Sequence, residues 1–148
     1  MRFLFLCIFA VLMTTSNFAF ASDIIEISLK ERTLTFRDQV YRVAVPKNDI
    51  QEVYNSVIVA KKENPTWYPT NDSRAENPSL PKVVKPGPNN PLGTRALYFR
   101  NSTYRIHGTN EPNSIGKAAS SGCFRMRNSD VEKLFTTVPV GTRVIVRR

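Results

Sequence analysis

Ile24-Ile25-Glu26-Ile27-Ser28-Leu29, Leu34-Thr35-Phe36 and Tyr41-Arg42-Val43-Ala44-Val45 are three short runs separated by polar breaks. Apolar side chains recur at every second position, imperfectly in the first run and cleanly in the third. A period of two marks strands with one buried face. Lys30 to Thr33 and Arg37 to Gln39 are the expected turns of a three-strand meander, and Pro46 closes the third run. Working outward, Val57 to Ala60, Arg95 to Phe99, Tyr104 to Ile106 and Val144 to Val146 are further short strands. One helix is expected. Ser129-Asp130-Val131-Glu132 has the S-x-x-E form of a capping box, and Val131, Leu134 and Phe135 then fall on one face before Pro139. Seven or eight short strands with one firm helix call for an antiparallel sandwich or barrel rather than alternating βαβ units.

Asn64 to Pro91 has a different character. Seven of the ten prolines fall at 65, 69, 78, 81, 86, 88 and 91, interleaved with asparagines and with Trp67 and Tyr68 in their midst. Proline fixes φ and removes a donor, so this segment reads as a long, constrained loop. It is expected to form a wall or flap beside a binding site.

At the start, Arg2 precedes an apolar run from Phe3 to Met13, and Ala19-Phe20-Ala21 supplies an A-x-A pattern. This is the layout of a secretory signal peptide over residues 1–21. The run is about half the ~20 residues a spanning helix needs, so no stable membrane anchor is expected after cleavage. The remaining 22–148 form one domain of 127 residues. Leu6 before Cys7 does not suit a lipoprotein site.

Cleavage leaves one cysteine, Cys123, and the chain has one histidine, His107, 16 residues earlier. A lone thiol in an exported protein is either a small core residue or a reactive group. Loss of Arg2 leaves 20 basic against 12 acidic residues, a net of +8. That field suits an anionic partner, although the scatter of Lys and Arg along the chain is equally that of a plain basic, soluble surface. A cell-wall polymer fits an exported protein, and nucleic acid does not. Zinc would need more ligands than one Cys and one His.

The pair has a chemical logic. A thiol near pKa 8.5 is only a few per cent thiolate at neutral pH, and a neighbouring imidazole can take its proton. Cys123 is therefore the candidate nucleophile and His107 the candidate general base. Acyl transfer also needs donors for an oxyanion. Ser120-Ser121-Gly122 keeps the backbone before Cys123 unencumbered, and Gly122 is free to take a positive φ. The amides of Gly122 and Cys123, with Ser121, are the expected oxyanion donors, and Ser120 is a supporting hydroxyl. The thiol is expected to titrate below its ordinary value because of His107 and these amides.

Ile106-His107-Gly108-Thr109-Asn110, Ser114-Ile115-Gly116, Ser120 to Met126, and then Asn128, Asp130 and Val131 strongly resemble the YkuD-type L,D-transpeptidase catalytic domain. Pro65-Thr66-Trp67 and Pro86 to Gly93 are similar to it as well, so the resemblance runs from about Ile24 to Val146. It implies a β-sandwich-like fold without cofactor or metal, acting in the periplasm or cell wall on peptidoglycan stem peptides. Cys123 would form a thioester at the third stem residue, releasing D-alanine. A stem amine would resolve it as a 3→3 cross-link, an outer-membrane protein's amine would attach that protein to the wall, and water would make the enzyme a carboxypeptidase. A non-catalytic wall-binding module is the remaining alternative. Ser121 departs from the family's usual S-H-G-C, and Pro46 to Glu52 stand where a glycine-rich turn is usual. Arg125, Asn110, Gly108, Trp67 and Tyr68 are the substrate-binding candidates. Arg125 has a salt bridge as its alternative role, Trp67 and Tyr68 have loop pinning, and Asn110 and Asn128 are candidates to brace the loops.

Overall fold

The computed structural model describes residues 23–47 and 54–148. The expected signal peptide and most of Pro46 to Glu52 lie outside them. Ten strands are seen among the described residues: β1 (Ile24–Ser28), β2 (Thr33–Phe36), β3 (Gln39–Arg42), β4 (Val45–Pro46), β5 (Tyr54–Glu63), β6 (Arg95–Phe99), β7 (Arg105–His107), β8 (Ala118–Ser120), β9 (Phe124–Arg125) and β10 (Arg143–Arg147). Eight of them form one curled sheet in the order β3-β2-β1-β10-β5-β6-β7-β9, and β4 pairs β8 apart from it. The fold is mainly β, a half-barrel, as the alternating runs imply.

The sheet is not purely antiparallel. β1 runs parallel to β10, β7 to β9 and β4 to β8. A parallel pair needs a crossover of a dozen or more residues, and the stretch between His107 and Cys123 is that crossover for β7 and β9. The run Tyr41 to Val45 is also not one strand. The Val43 N–H donates to Arg32 O, and Ala44 bridges Arg125, so the chain leaves β2 after Arg42 and turns to β8.

Alternating residues fill the concave side. Ile25, Ile27, Leu34, Phe36, Val144 and Val146 are buried together with Ile58, Leu97, Ile106 and Phe124. Helix α2 (Asn128–Thr137) covers them with Val131 and Leu134, as its i, i+3 spacing requires. The Lys61 ammonium donates to the Phe135 and Val138 carbonyls (2.7 Å for the latter) and so satisfies the helix's last turn.

Two local expectations are corrected. Helix α2 begins two residues early, with Arg127 rather than Ser129 at the cap position, and no side chain caps it. Glu132 of the S-x-x-E pattern instead accepts the Thr94 hydroxyl at 2.7 Å. The proline-rich segment holds a short helix, α1 (Asn71–Glu76), whose first turn is capped by Thr70 Oγ1 accepting the Ser73 N–H at 3.2 Å.

One buried side chain gathers the two ends of that segment. Asn90 is fully buried. Its amide donates to the carbonyls of Pro65 (2.8 Å), Lys85 (3.1 Å) and Val84 (3.2 Å), and its Oδ1 accepts the Leu92 N–H at 2.8 Å. Trp67 and Val84 exchange two backbone hydrogen bonds at 2.9 Å. The loop is thereby an ordered wall.

Candidate active site

The register of β7 and β9 builds the site. Ile106 pairs Phe124 and His107 pairs Arg125. Ile106 and Phe124 point into the core with no exposure. By alternation, Arg105 and His107 lie on the other face of β7, and Cys123 and Arg125 on the other face of β9. His107 is thus diagonal to Cys123, on the order of 8 Å between Cα atoms and within side-chain reach. Both line one cavity of about 170 Å³, with Thr103, Arg105, Ser120, Ser121, Gly122, Arg125, Leu92 and Trp67 around them and Thr70, Asp72 and Ser73 of the α1 region opposite.

His107 is 4% exposed, and burial drives its pKa down to about 4, with Arg125 and Arg105 adding repulsion. It is a neutral imidazole at pH 7. Its Nδ1 lies 2.5 Å from Gly108 O, and a carbonyl only accepts, so Nδ1 carries the hydrogen and Nε2 has the free lone pair. The sequence fits this arrangement at Gly108. A Cβ there would meet Asn128 Oδ1, which accepts the N–H groups of Thr109 (3.0 Å) and Thr94 (3.3 Å). Asn128 thus ties the His107-Gly108-Thr109 turn to the end of the proline-rich wall. Replacing Asn128 by alanine strands two backbone donors, so a loss of about 1–3 kcal/mol is expected in urea unfolding. Asn128→Asp, which keeps the acceptor, should lose less.

Cys123 is half-buried, and its thiol donates to Thr103 O at 3.8 Å. Burial pushes its pKa above the ordinary value. The expectation of a lowered value is therefore corrected: the opposing pull comes from Arg105 first and Arg125 second, and does not outweigh burial, while the neutral His107 adds no charge. The resting pair is thiol and imidazole rather than thiolate and imidazolium.

The supporting residues divide. Ser120 is buried and its hydroxyl donates to Cys123 O while accepting the Gly122 N–H at 3.4 Å, which clips the turn before the nucleophile. Gly122 does not take a positive φ. Its lack of a side chain admits the Tyr104 ring, which a Cβ would approach to 3.3 Å. The Ser121 hydroxyl turns outward and donates to the Glu76 carboxylate at 3.3 Å, joining the cysteine loop to α1.

Of the substrate-binding candidates, Trp67 lines the cavity as well as pinning its loop. Arg125 also lines it but is ion-paired with Glu111 at 2.7 Å. Gly108 sits behind His107 and lies outside the cavity lining. Asn110 faces a neighbouring groove and donates to Asn89 O at 3.2 Å, bracing the wall. Tyr68 is 65% exposed and lines neither cavity, because successive residues of an extended segment point to opposite sides. Sequence reading missed Arg105 and Thr103. Arg105 was detectable as the residue two before His107 on a period-two strand. Among the described residues no three Cys, His, Asp or Glu side chains gather to hold a metal ion, and no helix is long and apolar enough to cross a membrane.

A curled mixed sheet that brings a thiol and a neutral imidazole into one cavity has groups capable of cysteine-based acyl transfer. Residues 22–146 match the family model of the L,D-transpeptidase catalytic domain, YkuD, and the chain belongs to that family. It is 41% identical over 109 residues to a Fuscovulum blasticum protein named "Putative L,D-transpeptidase in ATP synthase subunits region ORF 5", covering 73% of this chain and 57% of that protein. It is 47% identical over 95 residues to "Probable L,D-transpeptidase YbiS" of Escherichia coli, covering 62% of this chain and 31% of that one. The chain therefore spans about a third to a little over half of these relatives. The catalytic domain of an E. faecium L,D-transpeptidase acylated by ertapenem superposes with TM-score 0.62 at 18% identity, over 84% of this chain and 95% of that one. That likeness is one of fold.

Proposed function

We propose that this domain, residues 22–148, is a working L,D-transpeptidase: Cys123 is the nucleophile, His107 the general base, and peptidoglycan stem peptides the substrate. The observation that carries the reading is the shared cleft: the chain's one histidine, with its Nδ1 held by Gly108 O and its Nε2 left as the acceptor, lines the same cavity as Cys123. His107 Nε2 takes the thiol proton as sulfur attacks the carbonyl of the third stem residue. The Cys123 and Gly122 amides receive the oxyanion, the latter exchanging its long bond to Ser120. The imidazolium returns the proton to the departing D-alanine amine, leaving a thioester. An incoming amine then attacks that carbonyl, gives a proton to Nε2, and thiolate leaves and is reprotonated. A stem side-chain amine yields a 3→3 cross-link, and an amine of an outer-membrane protein attaches that protein to the wall. No step calls for a cofactor. The leader-like residues 1–21 and the net charge support a periplasmic or wall location beside an anionic polymer.

Incubation with sacculi or tetrapeptide dimers, followed by muropeptide analysis, tests this. Release of D-alanine with 3→3 dimers is the expected result. Tripeptides without dimers would make water the acceptor, and unchanged tetrapeptides would leave a non-catalytic wall-binding module as the better reading.

A further inference from the structure

We propose that Arg105 is the counter-ion of the Cys123 sulfur, holding the thiolate once His107 has taken its proton. The proposal rests on the reading of Cys123 as nucleophile.

The register places Arg105 directly across from Cys123, one step beyond the Ile106–Phe124 pair and on the cleft face. Its Nε and Nη2 both donate to Thr103 O at 3.3 Å, and the Cys123 thiol donates to that same oxygen at 3.8 Å. Guanidinium and sulfur thus converge on one carbonyl. The guanidinium also lies 5.5 Å from the centroid of the Tyr98 ring, which fixes its plane.

Proton transfer changes this geometry in one direction. A thiol donates to a carbonyl, and a thiolate cannot. When the S–H bond breaks, its electron pair stays on sulfur and its proton moves to His107 Nε2. Sulfur then becomes an acceptor facing a carbonyl oxygen, and the Arg105 guanidinium and peptide N–H are the donors that favour its anion. A guanidinium stays charged throughout and is weakly hydrated, so it suits a half-buried anion.

The other charged groups facing the sulfur do not replace it. Arg125 on β9 already pairs with Glu111, whereas no carboxylate pairs with Arg105 among the described residues. Asp72 on α1 lines the opposite wall with an acid. Glu76, also on α1, is occupied by Ser121 and is anionic too. His107 begins neutral and gains its charge only from the thiol itself. With a base that begins neutral, a fixed cation favours the thiolate, and Arg105 is the one the strand register delivers.

The rate of iodoacetamide alkylation against pH, with the adduct mapped to Cys123, tests this in the full chain. In Arg105→Gln the midpoint should rise by about one unit or more, which is at least a tenfold loss of thiolate below the midpoint. Arg105→Lys should keep most of the wild-type profile. Arg105→Met retains the apolar stem against Tyr98 and serves the same comparison if the glutamine variant does not fold. Wild type should also favour anionic iodoacetate over iodoacetamide more strongly than Arg105→Gln does. An unchanged midpoint and an unchanged reagent preference overturn the proposal. Wild-type transpeptidation with an unaltered Arg105→Gln profile sinks the counter-ion alone. A shifted profile with no action on stem peptides sinks the proposed function instead.

Discussion

Replacing His107 by glutamine should lower acylation by a stem tetrapeptide by ~10²–10⁴-fold while the domain stays folded, the range for loss of a positioned general base. Glutamine keeps a donor for Gly108 O but offers no basic nitrogen. The resting thiol is pushed up by burial, so very little thiolate forms unaided at neutral pH. The loss should appear in kcat and kcat/KM together, because the imidazole acts on the reacting proton and not on substrate binding. Single-turnover acylation followed by intact mass spectrometry is the measurement. A His107→Gln rate within threefold of wild type would remove the base from the mechanism.

The second large effect is on pH. Below its folded pKa of about 4, His107 is protonated and cannot accept the thiol proton, so the acid limb of kcat/KM should fall near pH 4. An ordinary histidine would place it near 6.5. The same shift sets a stability dependence. The unfolded chain protonates His107 below about 6.5, whereas the folded chain resists until about 4. Folding stability is therefore full above the unfolded value and falls as pH drops from 6.5 towards 4, by about 3 kcal/mol in all. Carboxylates also titrate in the lower part of that window, so the comparison is with His107→Gln, which should lack the histidine component. An acid limb near 6.5, or identical acid denaturation of the two proteins, would contradict a buried neutral imidazole.

Much of this was legible in the chain itself. Alternation located β1 and β2 to within a residue or so, since each has one buried face, and short apolar runs located β6, β7 and β10 as closely. The His107–Cys123 pair was legible as well, because each is the sole reactive group of its kind after the expected leader. Other features were hidden for physical reasons. β4, β8 and β9 span only two or three residues, too short for any period to register. Their parallel pairing depends on contacts distant in sequence. β5 was seen only at its apolar centre, as its end is Lys61-Lys62-Glu63. α1 lay concealed among prolines, although Thr70 with Asp72 in the first turn is a helix-start signal. The capping box at Ser129 misled because Glu132 had a tertiary partner in Thr94. The thiol's direction of shift was misjudged, since burial is not a property of the motif. Asn90 and Asn128 read as loop and helix-entry residues, while the fold uses each to hold several backbone groups at once.

The departure at Ser121 gains a structural meaning. Its hydroxyl reaches α1 through Glu76 rather than the sulfur. The cysteine loop is instead shaped from beneath, by Ser120 and by Tyr104 against Gly122. The cysteine loop thus keeps its shape without a second imidazole, and the proposed mechanism gives proton transfer to His107 alone.

The most direct test of the central claim, that Cys123 carries the acyl group, is peptide mapping after rapid acid quench of the enzyme with a stem tetrapeptide. The account predicts a hydroxylamine-labile mass increase on the peptide containing Cys123, absent from Cys123→Ala. D-Alanine release without an adduct at that sulfur, or an adduct that survives Cys123→Ala, would contradict it.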